Sequence, residues 1–267
     1  MAGTPGATGT PGASSGPAHV TAAAAAPAGE LPDWATLVRA PNPGPMTLDG
    51  TNSWVLRLPA AGTVVVDPGP LHEGHLAALA GHGPIAGILV THGHVDHVEG
   101  VARLRELTGA PVLAEVPGLR RLPLPGHTAD SVGFLVDEID RPAVLTGDTV
   151  LGRGTTVVAY PDGDLGDYLA SLARLIELGP IPVLPGHGPA LADCAAAAGF
   201  YRQHRRARLT QVRQVVAAGA RTPAEVMEIV YADVDRSLWF AAEMSVRAQL
   251  ALIAKESEPG TVWLDTP

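Results

Sequence analysis

The 267-residue chain is 46% apolar and 17% charged, with a net charge of −9. Its length suggests one or two domains, and its acidic balance argues against non-specific coating of nucleic acid, which needs Lys and Arg over a broad face. The single cysteine, Cys194, rules out an internal disulfide and a cysteine-based zinc cage, so any metal must be held by His and Asp.

Residues 2 to about 30 are rich in Gly, Pro, Ala, Ser and Thr. Such a segment cannot bury enough apolar surface to offset its ordering entropy, so residues 1–30 are expected to be a disordered tail, with order beginning near Leu31 to Val38. The N-terminus lacks the basic stretch of a secretory signal, and no run approaches the ~18 to 20 apolar residues of a membrane span; a cytoplasmic protein with no membrane partner is expected.

From residue 31 to about 199, short apolar runs that end in Gly, Asp or His alternate with Ala/Leu-rich helical stretches. Strands are predicted at "NSWVLRL", "GTVVVD", "GILVTHG", "APVLAEV", "VGFLVDE", "PAVLTGD" and "IPVLPGHG",. Helices are predicted at "GHLAALAGHG", "VEGVARLRELTGAP" and "GDYLASLARLIELGP",. This is a mixed α/β layer domain whose polar clusters follow strand ends, where active sites of such folds tend to lie. His72 and His75 are three residues apart rather than four, so they read as a helix start after Asp67-Pro68-Gly69 and not as a metalloprotease helix.

From residue 200 to 267 three helical segments follow. Leu209, Val212, Val215 and Val216 form an apolar stripe, Thr222-Pro223-Ala224-Glu225 has the form of a capping box, and Leu238, Ala242, Val246 and Leu250 line one side of a last helix over about 236–255. With "GTVWLD" as a closing strand, this is the pattern of a winged-helix-like module.

Five of the ten histidines sit in motifs at strand ends: His92, His94 and His97 in "THGHVDH", His127 in "LPGHTADS" and His187 in "LPGHGP". Asp96 lies in the first motif, and Asp67 and Asp148 each end an apolar run. Imidazole and carboxylate suit Zn²⁺ and related ions. This many donors exceeds what one tetrahedral ion can use and fits two metals that share a bridging group.

The pattern His92-x-His94-x-Asp96-His97, followed in order by "PGHT", "TGD" and "PGHG", resembles the metallo-β-lactamase superfamily. The resemblance implies an αββα sandwich with two metal positions, most simply two Zn²⁺. His92, His94 and His127 would hold the first, Asp96, His97 and His187 the second, and Asp148 would bridge them, with Asp67 orienting the cluster from behind. A branch of the superfamily that binds di-iron for redox work carries Glu at the second histidine position; His94 points to the hydrolase branch. "PMTLDGTNSWVL", "TGDTVLGRGTTVV" and "LPGHGP" followed by "HRRARLTQV" look like the β-lactamase-like protein 2 family, which carries a C-terminal winged-helix-like domain and includes single-strand endoribonucleases. Two departures are Glu99, expected to add an acid near the metals, and the insert-like "AYPDGDLG", residues 159–166, expected to reshape the rim.

The implied chemistry is hydrolysis by a metal-bridging hydroxide, with Asp96 and Asp148 as the catalytic acids. For substrate, Arg202, Arg205, Arg206, Arg208, Arg213 and Arg221 give residues 201–221 a local charge of +6 without one acid. That stripe could track single-stranded RNA, with Arg205 and Arg206 as substrate contacts, or it could decorate a solvated helix. The alternative substrate is a small ester or acyl-thioester, as in the glyoxalase II type of the superfamily. Cys194 reads as a small buried residue, and His19, His82 and His204 as surface residues.

Overall fold

The computed structural model describes residues 26–257. The first sheet runs β1 (Ala35–Arg39), β2 (Asn52–Leu58), β3 (Gly62–Val66) and β4 (Ile85–Leu89). The second runs β5 (Arg120–Pro123), β6 (Val132–Val136), β7 (Ala143–Gly147) and β8 (Val183–Pro185). Each sheet has two antiparallel pairings followed by one parallel pairing.

The two sheets face each other, and the period-2 alternation of side chains decides what each strand contributes. Trp54, Leu56, Val64, Val66 and Leu89 meet Phe134, Val136, Leu145 and Leu184 between the sheets. The intervening Val55, Val65 and Ile88 point outward under α1 (Glu73–Ala80) and α3 (Val101–Thr108), against Leu76, Leu79 and Leu104. On the far side Leu135, Val144 and Val183 pack under α4 (Leu165–Glu177) with Leu172 and Leu175. This is the four-layer αββα sandwich. Strands buried on both faces read as unbroken apolar runs, which is why "TVVVD" and "AVLTGD" stand out in the sequence.

A four-residue helix, α2 (Val95–Val98), follows β4. Beyond the second sheet, α5 (Cys194–Ala217) leads to α6 (Pro223–Val230) and, through a 3₁₀ turn at Arg236–Leu238, to α7 (Trp239–Glu256). The capping box forms as expected: Thr222 accepts from the Glu225 N–H, and Glu225 accepts from the Thr222 N–H. Ala242, Val246 and Leu250 of α7 are buried. The change of character expected at 199/200 falls inside α5, whose first turns pack on α4 and whose later turns carry α6 and α7. The proposed closing strand "GTVWLD" lies outside the described residues. No helix among the described residues is long and apolar enough to cross a membrane.

Three expectations are corrected. "APVLAEV" is not a strand: it holds only isolated bridges, Val112 to Ile88 and Val116 to Leu119, with Pro111 unable to donate and Val112 47% exposed,. β1 and β5 were missed because they are edge strands with exposed charges; Arg120 and Arg121 give β5 no apolar signature. The boundary expected at residue 30 moves earlier, since Ala28 N–H donates to Ala190 O and Ala192 N–H to Ala26 O.

Candidate metal centre

All the donor residues converge at one end of the sandwich. Asp67 follows β3, residues 91–97 follow β4, Asp148 follows β7 and His187 follows β8, because in both sheets the parallel pair ends on the same rim. His127 arrives from the loop before β6.

Two groups of atoms form. His94 Nδ1 lies 3.0 Å from both His92 Nε2 and His127 Nε2. His97 Nε2 and His187 Nε2 are 3.2 Å apart, with Asp96 Oδ2 at 3.5 and 3.2 Å from them. Asp148 lies between the groups: Oδ1 is 3.4 Å from His97 Nε2, and Oδ2 is 3.3 Å from His187 Nε2 and 3.8 Å from His127 Nε2.

The donor set fits two cations. A tetrahedral ion with nitrogen bonds of about 2.0–2.1 Å spaces its ligand atoms about 3.3–3.4 Å apart, close to the spacing found. Each group presents three donors whose ligand atoms lie within 4.8 Å of one another. Asp148 Oδ1 is buried without a hydrogen-bond partner, a cost that a bound cation removes.

Protonation follows the same division. Burial, aided by the positive charge of His97, pushes His92 down to about 2, and burial also lowers His127; both stay neutral, the form in which imidazole gives its lone pair to a metal. Against burial, Asp148 and Asp67 raise His97 well above its usual value, and Asp148 raises His187 to about 9. Against burial, His187 and His97 hold Asp148 well below the carboxylate range and Asp96 at about 2.

A surrounding shell orients these donors. Asp67, in a left-handed conformation at φ 53°, accepts from Thr91 N–H and Thr91 Oγ1, each at 2.7 Å, and from His97 Nδ1 at 2.9 Å. His127 Nδ1 donates to the Val157 carbonyl at 2.6 Å, which leaves Nε2 for the group. Gly186 leaves the room that Asp148 and His97 occupy, since a Cβ there would collide with Asp148 Oδ1 and lie 2.8 Å from His97 Cε1. Thr91, Val157 and Gly186 were not singled out from sequence. Thr91 and Gly186 adjoin metal-donor motifs and could have been; a backbone carbonyl thirty residues from its imidazole carries no sequence signal.

Several expected neighbours lie elsewhere. Glu99 does not join the donors: it caps α2 on an exposed face and accepts from Leu71 N–H at 3.0 Å. The 159–166 segment does brace the rim. Ala159 N–H donates to His127 O, and a Cβ on Gly163 would sit 2.5 Å from the carbonyls of Gly126 and His127.

The arginines of α5 do not form one stripe. Arg205 and Arg208 are buried, 3% and 7% exposed, whereas Arg206 faces solvent. Arg213 is committed to Glu256, and Arg221 donates to Val216 O. Helical periodicity separates adjacent residues by about 100°, so Arg205 and Arg206 cannot share a face. His204 is not a free surface group either, because it lines a cavity that opens from His127 and Asp148.

That cavity, about 250 Å³, is walled by Leu151, Val157, Leu238 and Ala242 and runs beneath α5 and α7. Cys194 is fully buried, and burial pushes its thiol up to about 12.

Comparison with known proteins matches residues 46–121 to the metallo-beta-lactamase superfamily and residues 222–256 to the beta-lactamase associated winged helix domain. A beta-lactamase-like protein 2 homolog of Caenorhabditis elegans is 30% identical over 264 residues, covering 86% of this chain and 87% of that protein. An atrochrysone carboxyl ACP thioesterase of Aspergillus fumigatus is 33% identical over 230 residues, covering 71% of each. A metallo-beta-lactamase family protein from Thermus thermophilus shares the fold, with a TM-score of 0.65 at 22% identity over 84% of this chain and 94% of that one.

Proposed function

The chain belongs to the metallo-β-lactamase superfamily, and on that footing we propose that it is a cytoplasmic, dinuclear metal-dependent hydrolase of small acyl-thioesters or esters. The observation that carries the substrate reading is the partly open, largely apolar cavity of about 250 Å³ whose lining includes His127 and Asp148. A cavity of this size and lining suits a compact acyl group. The similarity to a protein named as a thioesterase supports it. The ribonuclease reading loses the feature that carried it, because the α5 arginines are divided between core, ion pairs and solvent.

In this reading His92, His94 and His127 would hold one ion and Asp96, His97 and His187 the other, with Asp148 set between the two groups. Two divalent ions, which we take to be Zn²⁺, would lower the pKa of bound water from 15.7 to about 7 and neutralise charge that develops on the carbonyl oxygen. Asp67 holds His97 through Nδ1 so that Nε2 faces the group, and Val157 does the same for His127. Asp148, its side chain 10% exposed, fixes the spacing of the two groups through both oxygens. Asp96 is more open, 30% exposed, and turns its Oδ2 toward His97 and His187 in the second group.

The test is a side-by-side assay of Zn²⁺-loaded protein on acyl-thioesters of graded size and on single-stranded RNA. Turnover of short acyl-thioesters, with RNA left intact by wild type and by Arg206→Ala alike, is expected. RNA cleavage without thioester turnover overturns the reading.

A further inference from the structure

Three guanidiniums line the cavity: Arg153, Arg205 and Arg208. Two have counter-charges. Arg153 forms a two-pronged pair with Asp49, and Arg208 has Asp233 Oδ1 at 3.8 Å and donates to Val230 O. Arg205 is the most enclosed of them at 3% exposure, yet no ion pair among the described residues involves it. One of its nitrogens donates to the Thr156 carbonyl, its Cζ lies 5.5 Å from the centre of the Tyr168 ring, and its buried Nε has no hydrogen-bond partner. Asp148 is the one acid in the cavity lining, and it faces the imidazole cluster.

A guanidinium removed from water without a carboxylate is costly, and a buried donor left unmade adds to the cost. Proteins keep such a group where a ligand completes it. His204, in the same lining, is pushed down to about 4 by burial and by the charges of Arg205 and Arg208, so it stays neutral and adds no second cation beside Arg205. The remaining wall is mostly aliphatic and has room for a short or cyclic acyl group. A planar carboxylate is the anion that matches a guanidinium fork in two parallel hydrogen bonds within a small space.

We propose that Arg205 is a specificity-determining residue that reads a carboxylate on the far end of the acyl group, so that the substrate class is the half-thioester of a dicarboxylic acid. This rests on the thioester reading above. Hydrolysis adds water across the acyl C–S bond, releasing a thiol and a second carboxylate at the metal end, while the distal carboxylate stays on Arg205 unchanged.

The experiment compares glutaryl and pentanoyl thioesters of N-acetylcysteamine, equal in chain length and different in charge, on Zn²⁺-loaded full-length protein. Wild type is expected to favour the glutaryl ester in kcat/KM by about tenfold to a hundredfold, the range of a hydrogen-bonded charge. Arg205→Gln brings the ratio near one, chiefly through KM for the glutaryl ester, and Arg205→Lys restores part of it. Ser245→Asp leaves Arg205 on Thr156 but adds an acid to the same lining, and it too abolishes the preference. A pentanoyl preference, or a ratio that neither Arg205→Gln nor Ser245→Asp changes, overturns the proposal.

Calorimetric titration of the same proteins with glutarate, pentanoate and inorganic phosphate separates this proposal from the thioesterase reading. If neither ester turns over, that reading fails, and the titration alone judges Arg205. Glutarate binding tighter than pentanoate and lost in Arg205→Gln sustains the carboxylate site, and equal binding of the two acids overturns it. Phosphate binding that falls as far as glutarate binding in Arg205→Gln also overturns it, in favour of a phosphate-reading pocket.

Discussion

His97 Nδ1 and Asp67 Oδ2 meet at 2.9 Å, with side chains 0% and 2% exposed, where the end of β3 meets α2. The contact fixes the imidazole tautomer and aims Nε2 at Asp96, Asp148 and His187. The same carboxylate anchors Thr91 through two hydrogen bonds, so one residue at a left-handed turn sets both the start of the 91–97 segment and its last donor. Asp67→Asn keeps a small polar side chain that tolerates that backbone but leaves His97 without an acceptor of full charge. Metal affinity is expected to fall about 10- to 100-fold, read by chelator competition. Unchanged affinity would show that His97 needs no such orientation.

Asp148 touches both donor groups, and its Oδ1 has no hydrogen-bond partner among the described residues. Asp148→Ala should lower the bound metal below two ions per chain and abolish turnover. Two retained ions with full activity would remove Asp148 from its place between the groups.

Gly186 sits where any side chain meets Asp148 and His97. Gly186→Ala is a single methyl, yet it displaces donors whose placement matters at the ångström scale, so activity should drop by about 100-fold. Turnover equal to wild type would mean that Gly147 or β8 yields at little cost.

His204 supplies a pH dependence that is separate from the metal donors. Its folded pKa of about 4 lies below the ordinary 6.5, so between those values the unfolded chain binds a proton that the folded chain refuses. Stability from this group is therefore complete above pH 6.5 and declines as the pH falls toward 4. Between pH 7 and 5 the wild type should lose about 1 kcal/mol more than His204→Gln, after allowance for partial solvent screening. Urea midpoints at the two pH values measure this, and equal losses would show that His204 titrates normally.

The residues that cluster at the rim were legible because their pattern is local: His92, His94, Asp96 and His97 fall in one short segment, and His127, Asp148 and His187 lie in motifs that resemble a known family's. The central strands were legible too, since β3, β6 and β7 are largely buried on both faces and read as nearly continuous apolar runs,. The edge strands β1 and β5 were not, because a strand with one solvated side carries no such constraint, and Arg120 and Arg121 read as loop.

Sequence by itself therefore determined the layered α/β domain, the helical C-terminal module and which histidines and aspartates sit in strand-end motifs, all of which follow from periodicity, burial and residue type. Only the tertiary structure decided what those residues face. It turned Glu99 away to cap a loop, brought Val157 to His127, and divided six arginines that look like one basic stripe into buried, paired and solvated groups. Net charge along a segment is additive and visible in the chain. Whether a given guanidinium meets a carboxylate, a carbonyl or a cavity depends on helix phase and on neighbours distant in sequence, and for Arg205 those were Thr156, Tyr168 and the cavity beneath α7.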